Sequence, residues 1–102
     1  MKVVRYFHIR AHNATHGGAT VCVTGDTDIV GQVDVQVAKC SRRDQFVKKI
    51  GREEVAKSPL KIVPLRYLPH ELARIWETNA CRDKHEIGPD FSFAIKYFLP
   101  KE

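Results

Sequence analysis

Cysteine is scarce in this chain of 102 residues: Cys22, Cys40 and Cys81 are odd in number, widely spaced and include no CxxC pair. That pattern argues against a disulfide framework or a zinc knuckle and fits a reducing compartment. No stretch approaches the roughly 18 consecutive apolar residues of a membrane span. The opening "MKVVRYFHIRAH" also has no apolar run of signal-sequence length. The expectation is a cytoplasmic protein with no membrane partner. Catalytic signatures are missing too: there is no glycine-rich phosphate loop, no GxSxG, no HExxH and no convincing carboxylate pair. Nucleic-acid motifs are likewise absent, with no RNP aromatic pair, no GXXG loop and no zinc finger. The chain reads as a non-enzyme without cofactor or metal.

What is present is ordinary globular material. Hydrophobic residues make up 43% of the chain and charged residues 28%, with few Gly and Pro, so one self-sufficient domain spanning 1–102 is expected. Dense β-branched and aromatic residues predict a strand from Lys2 to about Ala11, and "NATHGG" supplies a turn into a second strand, "ATVCVTG". In "GQVDVQVAK", Val33, Val35 and Val37 share one face, which predicts a third strand with one side buried.

Ser41 followed by Asp44 resembles a capping box, which starts a helix near Ser41 and ends it near Lys57, before Pro59. Wound at about 100° per residue, this helix gathers Phe46, Val47 and Ile50 on an inner arc and Gln45, Lys48, Lys49 and Arg52 on the opposite one. Gly51 signals close packing or a bend. "LKIVPLRY" follows as an extended piece, with Pro64 indicating an edge or a break. A second helix is predicted from Pro69 to about Lys84 with Leu72, Ile75, Trp76 and Ala80 inward, and "SFAIKYFL" closes the chain as a strand. The order β-β-β-α-β-α-β gives an α+β fold, a mainly antiparallel sheet with two helices on one face.

The charge is unevenly spread. Lys39 to Arg66 holds nine Lys or Arg against three acids, so the net +5 and pI near 9.3 come from one third of the chain. Clustered positive charge on a helix face is the footprint of a polyanionic or acidic partner, and charged arcs are also the ordinary solvated side of surface helices. Arg42, Arg43, Lys48, Lys49, Arg52 and Lys57 are the candidate contact residues.

Three other features compete and fail. His8, His12 and His16 are four apart, but four residues of strand span about 13 Å, too far for one ion. "DTDIVGQVD" begins like a calcium loop and then has Val30 and Val37 where ligands belong. Cys40, placed before a helix N-terminus beside Arg42 and Arg43, has the setting of an activated thiol, yet His70 and His85 offer no base held within reach.

"VQVAKCSRRDQFVKKIGREEVA" resembles a pattern in small uncharacterised accessory proteins of tailed bacteriophages, in which a strand leads into Cys, a polar pair, Asp, an aromatic, a basic pair and Gly-Arg. Here the matching positions are Cys40, Asp44, Phe46, Lys48, Lys49, Gly51 and Arg52. The resemblance covers about a fifth of the chain and implies a protein that modulates host or defence machinery by binding. The expected partner is nucleic acid or a nucleic-acid-handling host protein in the bacterial cytoplasm. The alternative is an anti-CRISPR-type inhibitor acting by protein–protein contact. The strand edge near Pro64 is a candidate for forming a homodimer.

Overall fold

The computed structural model describes residues 2–10, 16–26, 28–45, 47–80 and 88–99; the side chains of His16, Val30 and residues 41–44 lie outside that description. Four strands form an antiparallel meander in the order β1-β2-β3-β4: β1 is Lys2–Ile9, β2 His16–Asp26, β3 Ile29–Gln45 and β4 Lys61–Pro64. Helix α1 (Lys48–Val55) lies between β3 and β4, and helix α2 (Leu68–Asn79) follows β4 after a 3-10 turn at Leu65–Tyr67. The chain is α+β, and its first six elements follow the β-β-β-α-β-α order read from the sequence.

Alternation along the strands divides the sheet into two faces. Ile9, Ala19, Val21, Val23, Val33, Val35 and Val63 point to one of them, where they pack with Leu68, Leu72, Ile75 and Trp76 of α2. Leu68 and Leu72 are fully buried, each worth roughly 1.5–3 kcal/mol of apolar burial. Pro69 sits in the first turn of α2, where a missing N–H costs nothing. Trp76 is a core residue at 6% exposure, as its spacing with Leu72 and Ala80 predicts.

The opposite face carries Thr20, Cys22 and Gln36, and α1 lies on this side. A Cβ on Gly51 would overlap Thr20 Oγ1. Gln36 Nε2 donates to Ser58 O at 2.8 Å, tying the chain beyond α1 to the sheet. The two helices therefore sit on opposite faces, not on one. With four alternating strands both faces carry apolar residues, and a second covering element is needed.

Three other local expectations change. Helix α1 begins at Lys48, not Ser41, because residues 41–45 continue β3 and Gln45 pairs with His16; ladder hydrogen bonds to β2 override the local capping signal. Ile50 is 55% exposed and Val47 40%, so neither anchors the helix; Gly51 and buried Val55 make the contact. Phe46 lies outside the described residues.

The closing segment, read as a strand, is a 3-10 helix at Ser92–Phe98. Asp90 Oδ1 accepts the Ser92 N–H at 2.9 Å and the Ala94 N–H reaches Phe91 O at 3.0 Å, which coils the backbone at its start. Phe91, Ala94 and Phe98 are its buried residues, at helical rather than alternating spacing. Phe98 closes over Gly25, where a Cβ would stand 2.6 Å from Phe98 Cδ1.

Candidate functional site

The basic stripe divides once the helix is docked. With Gly51 and Val55 against the sheet, Lys48 and Arg52 lie at i−3 and i+1 of Gly51, on the flank of that contact, while Lys49 points away from it. All three side chains are exposed, and among the described residues no acid forms an ion pair with any of them. Lys57 differs, since its Nζ lies 3.8 Å from Glu54 Oε1. Arg42 and Arg43 have their backbone in β3 and not on α1, and their side chains lie outside the described residues.

Packed on β2 and β3, α1 holds Lys48 and Arg52 near enough to the end of β1 for their charges to act on His8. His8, half-buried on the same face, is paired with Thr20 in the ladder, and its Nδ1 lies 3.3 Å from Thr20 Oγ1. Thr20 is thus the shared floor: its hydroxyl touches both Gly51 and the imidazole. Burial holds the His8 pKa below the ordinary imidazole value, and the charges of Lys48, Arg52 and Arg10 press it further the same way. Those three charges are all positive, so the field around the end of β1 adds to the effect of burial and disfavours one more positive charge. Arg10, exposed just beyond β1, is one of the three.

His8 and Arg10 are the residues that sequence reasoning missed. The available signal was Gly51 itself. Placing it and Val55 inward, four apart, turns Lys48 and Arg52 to the flank of the contact rather than to the outer arc.

The competing sites do not assemble among the described residues. His8 is bound to Thr20, and the side chains of His12 and His16 lie outside the description. Between β2 and β3, Asp26 Oδ1 accepts the Asp28 N–H at 2.9 Å, and Thr27 lies outside the described residues. That bond holds the Asp26 carboxyl below its usual range. Cys40, in β3, pairs with Gly18 of β2, well before the start of α1, and its thiol points to Gln45 O at 3.8 Å; the helix-terminus argument for an activated thiol therefore falls. His85 lies outside the described residues. Two surface depressions of about 150 and 180 Å³ are smaller than the roughly 300 Å³ at which small-molecule sites begin.

No helix among the described residues is long and apolar enough to cross a membrane. No known protein family, curated protein or solved structure matches the chain.

Proposed function

We propose that this chain is a non-enzymatic binding protein that engages nucleic acid, or a nucleic-acid-handling host protein, through the basic corner of α1 and β1. The observation that carries the reading is that Lys48, Lys49 and Arg52 stand exposed together on α1 with no acid paired to them among the described residues. Phosphate oxygens satisfy such a cluster without base-specific geometry, so affinity is dominated by counterion release and specificity by whatever lies around the corner. In keeping with the phage-protein resemblance of residues 35–56, the setting is the cytoplasm of a bacterial host, where the protein acts as a phage accessory factor.

The test is binding to a labelled duplex as salt is raised. Contact with about four phosphates gives log K against log salt a slope near −3.6; a flat response sinks the reading. A second reading, an anti-CRISPR-type inhibitor that contacts a defence effector directly, is favoured by one observation. Ile50, Leu60 and Ile62 are 55%, 63% and 64% exposed, apolar groups that nucleic acid does not require. Affinity purification from host lysate with and without nuclease separates the two, because a partner held through nucleic acid is released on digestion.

A further inference from the structure

The two edges of the sheet are not equivalent. β4 is four residues long, ends in Pro64 and passes directly into a 3-10 turn, which are the devices by which an edge avoids pairing. β1 is eight residues long, has no proline and runs against β2 without a register shift. Among the described residues nothing pairs with its outer side. Exposed apolar groups border that edge on both faces: Val4 (49%) and Tyr6 (44%) on the α1 face, and Phe93 (42%) on the other. Phe93 stands over Phe7, with ring centres 6.2 Å apart.

We propose that this edge binds a second copy of the chain, β1 against β1 antiparallel about a two-fold axis normal to the sheet, giving one continuous sheet. The self-complementarity of the strand selects the occupant and the register. In an antiparallel pair, facing residues lie on the same face, so only alternate registers exist. Centring on Arg5 sets Arg5 against its own copy, and like charges in facing positions are destabilising.

Centring on Tyr6 instead sets Tyr6 against Tyr6, Val4 against His8, Val3 against Ile9 and Arg5 against Phe7. The last pair joins the aromatic groups of the two copies. Arg5 lies 4.6 Å from the Tyr97 ring centre, and Phe7 of the other copy carries Phe93, so ring and guanidinium contacts run across the junction. Registers shifted further pair fewer residues. Self-association, expected from the sequence near Pro64, thus moves to the opposite edge.

This inference is independent of what the basic corner binds, and its test is run without nucleic acid. Sedimentation velocity over a concentration series is expected to show wild type at twice the 11.6 kDa chain mass. Tyr6→Lys, which places two ammonium groups at the axis, is expected to be a monomer with an unchanged circular dichroism spectrum. Ile62→Lys, exposed on the same face but at the far edge, is expected to remain dimeric. Native hydrogen exchange provides a readout that needs no variant: the β1 amides that face away from β2 exchange more slowly as protein concentration rises. A wild type that sediments at 11.6 kDa throughout overturns the proposal. So does a Tyr6→Lys dimer, an Ile62→Lys monomer, or β1 exchange indifferent to concentration.

Discussion

Which side of α1 meets the sheet decides which cations are offered to a partner, and Gly51→Ala tests it. In a solvent-facing helix interior this change stabilises by about 1 kcal/mol. Here the new methyl overlaps Thr20 Oγ1 and lies 3.0 Å from Thr20 Cβ and 3.5 Å from Cγ2. Thr20 is 1% exposed between Ala19 and Val21, both at 0%, and its strand is held by ladders on both sides, so the floor does not yield and the helix must lift. Overpacking of this kind costs roughly 1–3 kcal/mol, and the propensity gain offsets only part of it.

Thr20→Ala removes the two atoms beyond Cβ. A double-mutant cycle by urea denaturation should therefore show Gly51→Ala costing less in the Thr20→Ala background, with a coupling of about 1–3 kcal/mol. Ile50→Asp, at a position 55% exposed, should change stability by no more than about 0.5 kcal/mol. A stabilising Gly51→Ala together with a collapsed Ile50→Asp would refute the docking and return Ile50 to the inner side.

Three further outcomes follow from the same geometry. Replacing Lys48 and Arg52 together by Glu should weaken duplex binding in fluorescence anisotropy and flatten the salt slope by about 0.9 for each phosphate no longer neutralised, while the melting temperature stays close to wild type because both side chains are exposed. His8 has a lowered pKa in the folded protein. The unfolded chain therefore takes up its proton first: the stability contribution of His8 is complete above the ordinary value near 6.5 and falls as pH drops through the folded value. His8→Gln should reduce that slope in pH-dependent denaturation, and an unchanged slope would deny His8 its buried, electropositive setting. Phe98→Ala should cost about 3–5 kcal/mol in chemical denaturation, because Phe98 is 3% exposed and closes over Gly25. A loss below about 1 kcal/mol would mean the terminal 3-10 helix is not part of the core.

The sheet was legible because its signals are collinear with the chain. The valines at 33, 35 and 37 state their period in five residues, and each strand pairs with its sequence neighbour. Helix α1 was misplaced because Ser41 and Asp44 form a plausible cap locally, while their fate is set by β2, some twenty residues earlier in the register, where Gly18 pairs with Cys40 and His16 with Gln45. The same distance hid the basic corner: His8 and Arg10 reach Lys48 and Arg52 only through the hairpin. Apolar character also misled, since Ile50 is larger than Gly51, yet it is the absence of a side chain that permits the close approach to Thr20.

The pairing of each strand with its chain neighbour bears on how the molecule is made. The β2–β3 turn at Asp26–Ile29 is the tightest closure in the ladder, and every later strand adds to an edge already present, so no parallel crossover has to be threaded. Loop-closure entropy is met in small increments. Assembly can then proceed as a zipper outward from that turn.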